Sequence, residues 1–285
     1  MPSAMRPRAA VSISDARSAN DHRLPLNRSA SRAPCSRAAS RGSSPSVRLG
    51  NQSLAGMPQC SLSGMVKVLT FVTRKAGMPV DEFQTYWRTR HPDAVTKLPG
   101  IRRYVQSHVL PAAYAKGEPV HDGIAEVWAD DTNPLRAMSQ GPAYADVVAD
   151  EAKFIDRSKM GLIITEEHVA KDEGAGALKA IEFFSRRPDL SVEDFQRRWR
   201  GEHAALVTRV PGVRRYVISA TRPSAYTGGR QPAYDGAALM WFESGDALKA
   251  AGGSAEYKAL VADRAHFLAP GQPPFLLTTE YVVVG

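Results

Sequence analysis

Residues 83–104 read FQTYWRTRHPDAVTKLPGIRRY, and residues 195–216 read FQRRWRGEHAALVTRVPGVRRY. Superimposed at an offset of 112, twelve of the 22 positions are identical, including Trp87/Trp199, His91/His203, Pro99/Pro211, Gly100/Gly212 and Tyr104/Tyr216. After one inserted residue the offset becomes 113. Asp122-Gly123 then falls on Asp235-Gly236, Trp128 on Trp241, Tyr144 on Tyr257 and Phe154 on Phe267. The period is too long for a solenoid repeat, so the pattern is that of a duplicated domain. The expected boundaries are 65–171 for the first copy and 178–285 for the second. A linker at 172–177, rich in Gly and Ala, joins them.

Charge is distributed unevenly along the chain. The net charge of +8 is concentrated in residues 1–64, which hold nine Arg, no Lys and only Asp15 and Asp21 as acids. The duplicated part is near neutral, which removes the main support for nucleic-acid binding. Both cysteines, Cys35 and Cys60, also fall in the leader, so neither a disulfide framework nor a cysteine-ligated zinc site is expected in the repeats. No H-x-x-x-H or H-x-H pair, phosphate-cradling glycine loop or G-x-S-x-G elbow occurs, and neither a metal nor a cofactor is expected. There is no apolar run long enough to span a membrane. Residues 1–64, rich in Ser, Arg, Ala and Pro, are expected to be disordered. Three readings of this leader are open: an organelle transit peptide, a basic tail, or an upstream extension with translation starting at Met65.

Each copy follows the same order of elements. An apolar strand (66–73; 178–185) leads into a helix with acids in its first turn and Val80, Phe83 and Trp87 on its buried stripe. Pro-Gly ends that helix. Two strands follow (102–109 and 123–129; 214–220 and 236–242), then a helix carrying Tyr144, Val148 and Phe154. A last strand closes the unit (162–169; 275–284). The order is βαββαβ, the ferredoxin-like arrangement, and the fold class is α+β. Such a sheet has helices on one face only. A second copy can cover the other face, enclosing a cavity within one chain.

Several residues could carry chemistry. His91 and His203 stand two steps of four beyond Phe83 and Phe195, at the edge of the apolar helix face. Each is either a proton carrier at a pocket rim or a structural histidine bonded to backbone. Tyr104, Gln106 and His108 share one strand face, where the second copy has Tyr216, Ile218 and Ala220. Glu126 and Glu182 interrupt apolar strands, opposite Leu239 and Thr70 respectively. Each is either an acid/base of raised pKa or an Arg partner. Asp122 and Asp235, before Gly, are read as turn caps. His121 stands next to Asp122 and has Ala233 or Tyr234 in the second copy. Trp87, Trp128, Tyr144, Tyr216 and Trp241 are either core or apolar pocket wall.

The pattern F-x-x-x-W-x-x-x-H, then [LV]-P-G-[IV]-R-R-Y, then D-G-x-x-x-x-W, resembles the EthD domain group of the dimeric α+β barrel superfamily, over nearly all of residues 66–285. The resemblance implies a two-sheet barrel, here an intrachain pseudo-dimer of the two repeats. It also implies a cofactor-independent lyase acting on an aromatic or phenolic small molecule by histidine-centred acid/base catalysis, through loss of water, carbon dioxide or a small aldehyde. The alternatives it leaves are a cofactor-free oxygenase and a non-catalytic binder of a hydrophobic metabolite. The catalytic set expected on this reading is His91, His203, Tyr104, His108, Glu126 and Glu182. Trp87, Trp128, Tyr144, Tyr216, Trp241 and His121 are expected on the substrate. The divergence between copies points to one dominant site centred on His91. The expected location is cytoplasmic, and the expected partners are the aromatic substrate and at most a second copy of the chain.

Overall fold

A computed structural model describes residues 64–285; the expectation of a disordered leader lies outside the described residues. The first repeat contains β1 (Val66–Val72), α1 (Val80–Thr89), α2 (Pro92–Val95), β2 (Arg103–Val109), β3 (Gly123–Ala129), α3 (Thr132–Gln140), α4 (Pro142–Phe154) and β4 (Gly161–Asp172). The second contains β5 (Leu178–Phe184), α5 (Val192–Arg198), α6 (Ala204–Val207), β6 (Val213–Thr221), β7 (Gly236–Phe242), α7 (Gly245–Gly253), α8 (Ala255–Asp263) and β8 (Phe275–Val284). The βαββαβ order is present in both. The second helix of each unit is split in two, by Gly141-Pro142 in the first repeat, with Pro at the start of α4, and by Ser254 in the second, whose side chain caps α8.

The strands close into one antiparallel barrel in the order β1-β3-β2-β8-β5-β7-β6-β4. Each half is a four-stranded sheet whose own edge strands pair with those of the other half. β4 starts against β1 and runs on against β6, while β8 starts against β5 and runs on against β2. Unpaired edge N–H and C=O groups are thereby removed, and the barrel is complete within a single chain. Helices cover the outside of each half. β1 therefore reads VKVLTFV with both faces packed, rather than alternating apolar and polar.

The inside of the barrel is filled. One level is apolar, with Leu69, Ile124, Ile163, Ile181, Val217, Leu239 and Leu276 in contact. At one end Phe71 stacks on His121 (5.0 Å) and Phe183 stacks on Tyr234 (4.8 Å), so Tyr234 is the counterpart of His121. The other level is charged. Lys67 Nζ lies 2.7 Å from Glu126 Oε2 and 2.9 Å from Glu167 Oε1. Lys179 Nζ contacts the other oxygen of Glu126 and lies 2.8 Å from Glu280 Oε1. The indole N–H groups of Trp128 and Trp241 donate to Glu167 (2.8 Å) and Glu280 (2.7 Å), and the Ser107 hydroxyl donates to Glu126 (2.6 Å). Burial alone would raise the Glu126 carboxyl, but Lys179 and Lys67 outweigh it and hold it below the usual carboxylate range.

Two close approaches account for glycines shared by the repeats. A Cβ on Gly123 would sit 2.4 Å from the Trp87 ring, and one on Gly236 would sit 2.7 Å from the Trp199 ring. The preceding aspartates do more than cap a turn. Asp122 accepts the Arg74 N–H (2.8 Å), the Arg74 guanidinium and the Tyr114 hydroxyl (2.7 Å). Asp235 does the same with Arg186 and Tyr226.

Removing one member of a buried ion network leaves the opposite charge unpaired, which costs about 3–5 kcal/mol. Glu126→Ala is expected to lower unfolding stability by about that amount, measured by urea denaturation. A loss of under about 1 kcal/mol would show that Glu167 and Glu280 neutralise the two lysines without it.

Candidate functional site

A cavity of about 300 Å³ opens between the helices and the outer face of the sheet in the first repeat. It does not lie between the two sheets, because that space is occupied by the packed and ion-paired interior described above. Its walls include Val68, Thr70, Trp87, Tyr104, Tyr144 and Val147, and its titratable lining includes His91 and Glu151.

His91 follows the end of α1 and opens α2, with Pro92 fixing the first helical position. Its Nδ1 lies 2.8 Å from Asp150 Oδ2. Asp150 sits on α4 and also accepts from the Tyr86 hydroxyl (2.7 Å) and Lys153 (3.1 Å). Burial would raise Asp150, but these hydrogen bonds together lower it, so it is ionised and can only accept. His91 Nδ1 therefore carries the proton and donates it. Nε2 is left with its lone pair and no partner among the described residues. Burial holds the imidazole below its ordinary pKa, with Asp150 opposing, so the ring is neutral at pH 7.

Glu151, absent from the expected set, is the carboxyl in this cavity. On α4 the buried stripe runs Val147, Glu151, Phe154, with Tyr144 partly buried before it, so Val147 and not Val148 faces the sheet. Burial pushes the Glu151 carboxyl up to about 7, against the pull of Arg157 and with a further push from Asp150. Arg157 Nη1 is 3.0 Å from Glu151 Oε2 without hydrogen-bond alignment, so its pull on the acid is coulombic, and burial outweighs it. Tyr104 accepts from the Trp87 indole (3.3 Å) and from Gln106 (3.0 Å), which leaves its own proton free to be donated. Burial raises it to about 12, so it remains protonated at neutral pH.

The structure brings His91, Tyr104, Trp87 and Tyr144 to one cavity and places the other expected residues elsewhere. His108 shares the helix-side face with Tyr104 but is stacked on Trp87 (4.3 Å) and bonded to Gln106 (3.0 Å), and burial lowers it to about 3. Glu126, Trp128 and Trp241 belong to the charged barrel interior, because their alternation on β3 and β7 turns them inward, away from the histidines. His121 is in the aromatic stack at the barrel end. Glu182, His203 and Tyr216 lie under the helices of the second repeat. There Glu182 receives two hydrogen bonds of 2.7 Å from Arg264, and Tyr216 accepts from Trp199 (2.8 Å). His203 bonds Asp263 (2.9 Å) as His91 bonds Asp150. Burial lowers it to about 4, with Arg264 and Arg198 adding to the effect. Among the described residues no group of three or more His, Cys, Asp or Glu could hold a metal ion, and no helix is long and apolar enough to cross a membrane.

Glu151 offers a direct test of this electrostatic picture. Its folded pKa of about 7 exceeds the unfolded value near 4.3, so in that window the native state binds the extra proton and stability falls as pH rises. Glu151→Gln has no such dependence. Its Tm relative to the wild type is therefore expected to rise between pH 4.5 and 7 and to level off above. A pH-independent difference would mean that the carboxyl titrates normally.

The EthD domain model matches residues 75–158 and again 187–271. A solved structure described as an anthrone oxidase-like protein is similar over 78% of this chain and 95% of its own, at 14% identity and a TM-score of 0.56. An EthD family protein from Bacillus halodurans C-125 matches 36% of this chain and 99% of its own, at 22% identity and a TM-score of 0.30. No curated protein sequence matches the chain. The twofold match, on a barrel built from two βαββαβ units, shows that the chain belongs to the EthD domain family and carries the domain in tandem.

Proposed function

We propose that the protein is a cofactor-independent lyase that takes an aromatic, phenol-bearing small molecule into the first-repeat cavity and eliminates water from it by acid/base catalysis. The observation that carries this reading is the pairing, in one apolar-walled cavity, of an oriented neutral imidazole with a carboxyl whose pKa is near neutrality. Two titratable groups whose surroundings push them to opposite protonation states are what general acid and general base require.

In this mechanism His91 Nε2 removes a C–H proton. The developing negative charge spreads onto a conjugated ring carbonyl oxygen, the keto form of the phenol, where the Tyr104 hydroxyl donates to it. The Glu151 carboxylic acid protonates the departing hydroxyl, which leaves as water. Transfer of the proton from His91 to Glu151 through solvent restores the starting state. Asp150 is the positioning residue that fixes the histidine tautomer. If the same carbanion met O₂ instead of losing water, the outcome would be an oxygenase. Oxygen uptake equal to substrate consumed would replace the lyase reading with that one.

His91→Ala is expected to lower turnover of a phenolic substrate about 10²- to 10⁴-fold, the range for a lost general base. His203→Ala is expected to leave turnover near wild type while lowering Tm. Equal losses in the two variants would reduce the first-repeat histidine to a structural role.

The pH profile of kcat/KM is expected to be bell-shaped. It falls on the acid side as His91 takes a proton, at a pH below its ordinary value, and on the alkaline side near pH 7 as Glu151 ionises. Glu151→Gln is expected to remove the alkaline limb. A limb that persists in that variant would assign it to another group.

A further inference from the structure

At the position in the second repeat that corresponds to the first-repeat cavity, three residues differ together. Thr70 becomes Glu182, Glu151 becomes Arg264 and Val72 becomes Phe184. Glu182 and Arg264 are not independent changes, since Arg264 Nη2 donates to both oxygens of Glu182, each at 2.7 Å. Both partners are nearly shut off from solvent, with side-chain exposures of 7% and 12%. Phe184 is buried, packs against Trp199 (4.9 Å) and meets the His203 ring edge-on (6.0 Å). The machinery around this plug is intact: His203 keeps its aspartate, and Tyr216 keeps its tryptophan donor.

We infer that the second repeat holds a latent copy of the same small-molecule site, occupied by its own side chains, with the Glu182–Arg264 pair as the plug. Each plug residue is larger than its first-repeat counterpart, and the two opposite charges face each other in the space where the first repeat has its cavity. The inference rests on the first-repeat cavity being the ligand site. It adds that the two repeats differ in ligand capacity through one reciprocal exchange, Thr/Glu for Glu/Arg. Both members must change together, because either alone leaves a buried charge without its partner.

The test is the number of molecules of 2-naphthol, a two-ring phenol, bound per chain by calorimetric titration. Four full-length proteins are compared: wild type, Glu182→Thr/Arg264→Glu, the same with Phe184→Val added, and the reciprocal Thr70→Glu/Glu151→Arg. Circular dichroism and Tm confirm folding. The expected stoichiometries are one for the wild type, two for at least one of the unplugged chains and none for the reciprocal chain. A folded, triply substituted chain that still binds one molecule overturns the latent site and leaves the first-repeat reading standing. If the unplugged chains do not fold, the reciprocal chain decides: loss of binding supports the plug, and retained binding overturns it. Binding by the unplugged chains alone, with none by the wild type, supports the plug and overturns the first-repeat site. Binding by no chain overturns both.

Discussion

A single buried carboxylate, Glu126, lies between two buried ammonium groups, one from each repeat. The closed strand order would join the halves in any case, but it also brings Lys67 and Lys179 into the same enclosed space. There an unpaired charge would be prohibitive. Glu167 and Glu280 each hold one lysine and one indole, and Glu126 touches both lysines. That polar level and the apolar level beside it fill the barrel. The first-repeat cavity accordingly lies under the helices, on the outer face of its sheet.

On those outer faces the repeats have taken opposite electrostatic solutions. In the second, a buried carboxylate accepts two hydrogen bonds from one nitrogen of a buried guanidinium. In the first, the acid stands on the helix where the second repeat has its arginine, and threonine stands on the strand where the second has its acid. The remaining cation, Arg157, is near but misaligned. Burial favours the neutral form of both acids and raises both, with Arg157 opposing it at Glu151 and Arg264 opposing it at Glu182. The histidines diverge for a related reason. Asp263 is partnered by Arg198, and Asp150 by the Tyr86 hydroxyl and Lys153; burial lowers both histidines, and Arg264 and Arg198 lower His203 further.

The duplication, the element order and the covering of one sheet by the other were legible because they rest on long, strongly patterned segments. The Trp, Gly and Asp shared by the repeats were legible as motifs, though the reason for the glycine is a tryptophan ring lying on it, a tertiary contact with no local signature. Glu126 was visible as an acid on an apolar face. Its partners lie 53 and 59 residues away along the chain, so ion pairing and catalysis could not be separated in advance. Glu151, seven residues after Tyr144 and three after Val148, falls on the same helical face as Tyr144, Val148 and Phe154, so its place on the buried side was open to the spacing; its chemistry was not, because an acid on an apolar face reads equally as an arginine partner. The offset of 113 did set it against Arg264, an inversion of charge matched by Thr70 against Glu182, and reading those two differences as a pair would have pointed to the site.

The His–Asp pair occurs in both repeats, including the one whose cavity is filled by its own side chains, so the pair alone does not define a working site. What it does in both is tie the segment that follows the first helix to the helix that carries the aspartate, above the sheet. This architectural tie also fixes the tautomer and leaves one imidazole nitrogen unbonded. The first repeat thus needed no new base. On the proposed mechanism it needed room beside an existing one and a buried acid whose pKa burial raises. A base held by the fold's own packing is oriented before any ligand arrives, and such preorganisation lowers the entropic cost of reaching a reactive geometry. On the proposed mechanism, the base of the first repeat is a structural tie shared by both domains, and it differs from its counterpart by standing beside an open cavity where the second domain has the Glu182–Arg264 pair.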